Sequence, residues 1–423
     1  MAGEDPQFWN SERGRSHRAR ISFGAGTGLT TTVVALGVAT FVGLIVLWPS
    51  GSSAKGVPGL DSFKNAYKAR LVTATSSPCQ GVDPTQETTC VELTATLLEG
   101  PDEGTVATLQ FPSPAAGTTF ASGQEVLLVR FTLGQGGPAQ YSYLDRVRLP
   151  SLWWLAVIFA VAVVLLGRLH GVGALVGLVV SFFVLLKFIL PAIIQGENPM
   201  LVALVGSTAI AFFALYLAQG FNRVTTMALL GTIGALVFTA ALGAAWVHLS
   251  SFTGLGSEEA YVVQLGAAHV DLVGLLLAGI IIGALGALDD MSVTQAAAVD
   301  ELRKTNPDQS KRSLYRSGIR IGRDHVASIV NTLVLAYAGA SLPLLILFLI
   351  SNQGPGLVLN SEAVAVEIVR ALVGSIGLVM CVPLTTWLAA YLMPESRRGR
   401  RERTKNPVPA PAHPPSRAAD GAG

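Results

Sequence analysis

Two adjacent carboxylates, Asp289 and Asp290, follow the apolar run GALGAL at residues 283–288. In a water-poor setting such groups hold a cation, relay a proton or, as a pair sharing one proton, activate water. The last role needs two carboxyls aimed at one point. Helix neighbours point about 100° apart, Asp271 is about 27 Å away along the same helix, and Asp324 is expected in a loop. An intramembrane aspartyl protease is therefore disfavoured and no enzyme activity is expected; ion or proton handling fits better. Ser292-Val-Thr-Gln295 reads as a capping box. It predicts a helix that ends at the two acids and a second that starts after them, the interrupted geometry transporters use to hold ions. The alternative is a pair of interfacial acids, solvated or paired with Arg320 or Arg323.

Other polar residues interrupt apolar stretches. Lys187 lies in SFFVLLKFIL at 181–190, where its stem is long enough to snorkel to an interface. Asp271, near His269, and Arg370, near Glu367, fall toward the outer ends of their segments. Lys187, Asp271, Glu367 and Arg370 either line an outer vestibule or form structural ion pairs, with Arg370 meeting Asp271 or Glu367. Asn331 is little more than a turn into an apolar stretch, and such a residue bonds across to a neighbouring helix or contacts a substrate or ion. Gly279 and Gly283 form a G-x-x-x-G, with Gly286 beyond, a pattern that lets helices approach closely. The six histidines are too scattered for a metal site, no cofactor is implied, and no G-x-x-x-x-G-K-[ST] phosphate loop occurs.

The elements that must position these residues follow from composition. The chain is 51% hydrophobic and 13% charged, where a soluble domain carries about 25% charged residues, so its main partner is the lipid bilayer. A net charge of +2 argues against a nucleic-acid partner. At about 20 apolar residues per crossing, eight spans are expected, near 29–48, 152–169, 172–194, 201–219, 227–248, 264–288, 327–350 and 371–392. The second and third require a tight turn at Gly167-Arg-Leu-His-Gly171. Basic residues cluster at the N-terminus, at Arg168, at Arg223, between 303 and 323, and in the tail, whereas 195–200, 250–263 and 351–362 contain no Lys or Arg. By the positive-inside rule both termini are cytoplasmic in a multi-pass protein of the cell membrane. Pro343 and Pro383 predict distortion of the last two spans. The first run exceeds the 7–15 apolar residues of a signal peptide and reads as an uncleaved anchor.

The expected fold is thus mainly α, with one small extracytoplasmic β-domain between the first two helices. The divisions are a basic cytoplasmic tail (1–27), an anchor helix (28–49), the β-domain (50–149), a seven-helix membrane block (150–393) with a cytoplasmic segment (289–325), and a Pro-rich tail (394–423). Alternation over 67–74, 90–97, 105–111 and 125–131 predicts short strands, and the length suits a five-stranded barrel of the oligonucleotide/oligosaccharide-binding type. Cys79 and Cys90 flank a short loop in this domain; outside the cell they are expected to form a disulfide, the alternative being two free thiols. Cys381 reads as a small core residue.

Two stretches, GALGALDDMS at 283–292 and GRDH…NTLVLAYAG within 322–339, together with a β-domain placed before a multi-span block, resemble the YibE/F-like family of bacterial membrane proteins over roughly residues 60–395. The resemblance implies an integral membrane protein without an assigned biochemical role. Several relatives carry one Asp before a Val-Ala-Met-Ser-like string where this chain has Asp289-Asp290-Met291-Ser292. The leading functional expectation is a permease for a small, unknown solute or ion. The alternative is a non-transporting scaffold or sensor acting through the β-domain. A homo-oligomer or an accessory subunit is compatible with either, since the G-x-x-x-G serves a dimer as readily as an internal contact.

Overall fold

A computed structural model of the chain describes residues 27–50, 66–78, 89–112, 120–132, 139–351 and 353–392. The tails 1–26 and 393–423 and Cys79 lie outside the described residues. A first helix, α1 (Thr27–Val46), leads to five strands: β1 (Ala66–Pro78), β2 (Thr89–Leu97), β3 (Val106–Pro112), β4 (Glu125–Thr132) and β5 (Ala139–Arg146). They form one antiparallel sheet in the order β3-β2-β1-β4-β5. The period-two pattern does what the sequence predicts: Val91, Leu93, Ala95 and Leu97 of β2 turn inward against Ala69, Leu71, Val126 and Leu128. A register shift after Leu71 and another at Leu127/Leu128 curl the sheet, since bulges bend a strand and increase its twist. The edge strands β3 and β5 return toward one another.

The rest of the chain is helical: α2 (Leu149–Val184), a π-turn (Leu185–Ile189), α3 (Leu190–Ile194), α4 (Pro199–Gln219), α5 (Arg223–Leu249), α6 (Glu258–Gly266), α7 (Leu272–Thr305), α8 (Lys311–Ala340), α9 (Leu342–Ile350), α10 (Pro355–Asn360) and α11 (Glu362–Leu392). Among the described residues, five helical runs are long and apolar enough to cross a membrane, or six if the bent pair α8–α9 counts as one. Three differences separate this count from the eight expected spans. The apolar part of α1 is short (Thr31–Val46); the second and third expected spans are one continuous run, Leu149–Ile194; and the seventh is bent by 58° between α8 and α9, where Pro343 occupies the first turn of α9.

The 46-residue run is not one rod. Arg168 has non-helical angles (φ 49°, ψ −127°), and a Cβ on Gly171 would strike the backbone of Val163 and Val164. Residues eight apart on a straight helix are about 12 Å apart, so the chain doubles back at Arg168. The absence of a side chain at 171 is what permits that approach. Further on, Pro191 lacks an N–H and its ring would press on the carbonyl four residues earlier, that of Lys187. The helix widens to a π-turn over Leu185–Ile189 just where that clash falls.

Caps set the boundaries. Asn198 accepts from the Leu201 N–H (3.1 Å) and Asn222 from the Thr225 N–H (2.9 Å), while Gly220 ends α4 with φ +77°. α5, α7 and α11 form the centre, with α4 and α8 around them. The most apolar stretches of α5 and α7 are 56% buried against 22% for the α2–α3 run, which places that run at the periphery. α5 and α11 run antiparallel at glycine distance. A Cβ on Gly231 would collide with the Thr385 hydroxyl, and one on Gly377 with the Thr239 hydroxyl. Each helix thus supplies one glycine and one threonine, eight residues apart, in a single register.

Two expectations about the membrane block are corrected. No helix ends at the acids: α7 runs unbroken through Asp289, Asp290 and Ser292 to Thr305. Ser292 and Gln295, read as a capping box, are buried mid-helix, because neighbouring helices supply partners that a cap would have found in its own backbone. Asp324 lies inside α8, not in a loop. The sixth expected span is divided instead, at 267–271, between α6 and α7.

Candidate functional site

The polar residues gather at two levels of the α5–α7–α8–α11 bundle. At the first, Asp289 is half-buried and accepts from the Thr232 hydroxyl of α5 at 3.3 Å. Asp290, one position on, is exposed. On the neighbouring positions of α7, Leu288 and Ser292 meet the thiol of Cys381 on α11. That thiol is 2.9 Å from the Ser292 hydroxyl and 3.6 Å from the Leu288 carbonyl. Thr385 donates to Ser292 at 3.4 Å. One turn along, Gln295 donates to the Gly318 carbonyl of α8 (2.8 Å) and to Thr386 (2.6 Å). Thr232, Ser292, Gln295, Thr385 and Thr386 are all buried at 1% exposure or less. A carboxylate bonded to the Thr232 hydroxyl of α5 thus lies on the same helix as Ser292, which shares hydrogen bonds with Cys381 and Thr385 of α11. Carboxylate and hydroxyl oxygens are the groups that coordinate a small cation or pass a proton.

The second level holds Arg370, Glu367 and Tyr337. Arg370 Nη1 donates to Glu367 Oε1 at 2.5 Å, with both side chains about one-quarter exposed. The Arg370 Nε is buried without a hydrogen-bond partner. Gly279 faces the guanidinium, its Cβ position 3.7 Å from Nη2, and Gly283 faces the Tyr337 hydroxyl. Gly286 looks onto open space. The glycines therefore do two jobs: 279 and 283 leave room for polar groups of other helices, and 286 packs against nothing within reach.

The remaining predicted residues fall elsewhere. Lys187 is exposed on the π-turn. Asp271 is exposed at the N-cap of α7 with no side-chain capping bond. Asn331 is exposed on α8, and no bond from it to another helix is present. Glu367, not Asp271, is the partner of Arg370. Cys90 is buried in β2 and disulfide-bonded; Cys79, with which it was expected to pair, lies outside the described residues. Among the described residues no group of three or more His, Cys, Asp or Glu is placed to hold a metal ion.

Sequence reasoning missed Thr232, Thr385 and Thr386, and read Cys381 as plain core. A signal existed: Thr225, Thr232 and Thr239 recur every seven residues, which places them on one face of α5. Outside the bundle, Glu362 at the start of α11 accepts from the Thr253 N–H (3.0 Å), the Thr253 hydroxyl (2.8 Å) and the Gly254 N–H (2.6 Å). In the β-domain, Asp102 accepts from Tyr141 Oη (2.6 Å) and Arg130 Nε (2.9 Å). These bonds, that from Tyr141 foremost, hold the Asp102 carboxyl below its ordinary range. Asp102 and Tyr141 also line a cleft of about 700 Å³ between β3 and β5.

A bundle of apolar helices with charged groups between them, preceded by a curled β-sheet, defines a multi-pass membrane protein. The chain belongs to the YibE/F-like protein family, whose model matches residues 155–395, more than half of its length. Neither a curated protein nor a solved structure matches it. The two stretches that carry the resemblance in sequence touch in space where Gly283 meets Tyr337, and Gly322 packs on Gln295, three residues beyond the first.

Proposed function

We propose that this chain is a permease that moves a small solute or ion across the cell membrane. The observation that carries the reading is Asp289: a carboxylate turned between α5, α7 and α11 onto Thr232, beside a hydroxyl chain, rather than outward like Asp290. A charge held in that position is costly and is retained for a task. In this reading Asp289 takes and releases the coupling cation or proton, and Thr232, Ser292 and Thr385 supply neutral oxygens around it. The protein has no enzymatic step of its own.

The topology that goes with this function has eight crossings. The Leu149–Ile194 run counts as two because of the reversal at Arg168, α8–α9 counts as one bent span, and α1 is the anchor. Both termini are then cytoplasmic, and the β-domain is extracytoplasmic. The strand order β3-β2-β1-β4-β5 with converging edges supports an oligonucleotide/oligosaccharide-binding-type barrel, and the bonded Cys90 supports the Cys79–Cys90 pair.

Vesicles reconstituted with the full-length protein and offered an isotopically labelled small-molecule extract should accumulate at least one compound faster than protein-free vesicles. Asp289→Asn should abolish that uptake and Asp290→Asn should leave most of it. Uptake that never exceeds the protein-free level, or that survives Asp289→Asn, refutes the reading. A second reading, a sensor acting through the β-domain, draws on the cleft between β3 and β5 with its polar and aromatic lining (Gln110, Phe131, Gln140, Tyr141). It gains ground if a partner is captured through residues 60–148 and no uptake occurs.

A further inference from the structure

Arg370 is only partly used by the protein around it. Its Nη1 is held by Glu367. The other edge of the planar group, where Nε and Nη2 point the same way, has no acceptor among the described residues: Nε is buried and unpartnered, and Nη2 faces a glycine. Arg370 lies eight residues into α11, about 12 Å along the helix, where an unmatched donor is costly. A guanidinium edge presenting two parallel N–H bonds is the geometry that binds a two-oxygen anion. The surroundings favour such a guest. Gly279 keeps a side chain off the free edge, and the Tyr337 hydroxyl lies against Gly283, one turn of α7 further on.

We infer that the free edge of Arg370, which faces Gly279, binds the carboxylate of a small molecule. As the head group of the transported solute, this deepens the permease reading and rests on it. Charge selects among anions. Glu367 already offsets Arg370, so a monoanion adds one negative charge to a neutral pair, whereas a phosphate dianion would add two beside an existing carboxylate in a poorly solvated place.

The test measures thermal stabilisation of the full-length protein in detergent by sodium acetate, with sodium chloride and sodium phosphate at equal ionic strength. Acetate should stabilise saturably and chloride should not. Arg370→Lys keeps the charge for Glu367 but loses the fork, and should weaken half-saturation by about tenfold or more. Gly279→Val, which leaves every charge in place and fills the space before the guanidinium, should do the same and serves where Arg370→Lys does not fold. Acetate acting no differently from chloride, phosphate stabilising as well as acetate, or both variants keeping the wild-type response overturns the site. The two readings fail separately. Arg370-dependent binding without uptake into vesicles removes the permease and upholds the site; uptake without such binding removes the site alone.

Discussion

Single residues divide the labour of neighbours that look equivalent in sequence. Asp289 and Asp290 are adjacent, yet one meets Thr232 and the other is exposed. Periodicity carries that information only when the packed face of α7 is known. Asp102 is a clearer case: a turn acid that is bonded to Tyr141 and Arg130. Its carboxyl is held below the ordinary range, so its bonding contribution is present above the unfolded value of about 3.9 and is lost as pH falls through the lower, folded value. Hydrogen exchange of β5 amides in the full chain should be faster in Asp102→Asn than in the native protein at pH 5 to 8. That difference should shrink only well below about pH 4. A difference that closes near neutrality would show that the carboxylate is not the latch.

Elements are held in register by small residues. Gly231 opposite Thr385 and Thr239 opposite Gly377 fix α5 against α11 at two points. Gly231→Ala should destabilise the protein by about 1–3 kcal/mol through overpacking. Adding Thr385→Ala should recover part of the loss, because the two sites share one contact. Simple additivity in thermal melts would deny the close crossing. Much at this scale was readable beforehand. The alternating strands at 67–74, 90–97, 105–111 and 125–131 became β1 to β4, while β5 escaped although Ala139, Tyr141 and Tyr143 alternate with Gln140 and Ser142, because its inward side is tyrosine and only half-buried rather than aliphatic. The supposed cap Ser292–Gln295 failed for an instructive reason: a hydroxyl and an amide three residues apart suit a helix start and a buried inter-helix contact equally well. Only the partners Cys381, Gly318 and Thr386, distant in sequence, decide between them.

For the whole molecule, hydropathy gave the bundle but not its count of helices, because a reversal and a bend are local backbone events. The reversal at Arg168 makes a direct prediction about topology. A cysteine placed at 168 should react with a membrane-impermeant maleimide only after cells are opened, as a cytoplasmic turn requires. Labelling of intact cells at that site would invert the membrane block. The clasp at Glu362 has a mechanical consequence. One carboxylate grips the loop after α5 by three hydrogen bonds, and the two glycine–threonine crossings grip the same pair of helices along their length. α5 and α11 are therefore fastened at one end and at two points along their length, which makes them one mechanical unit. If the protein is the permease proposed above, its gate hinges outside this pair, and the 58° break between α8 and α9 is the place to look for it.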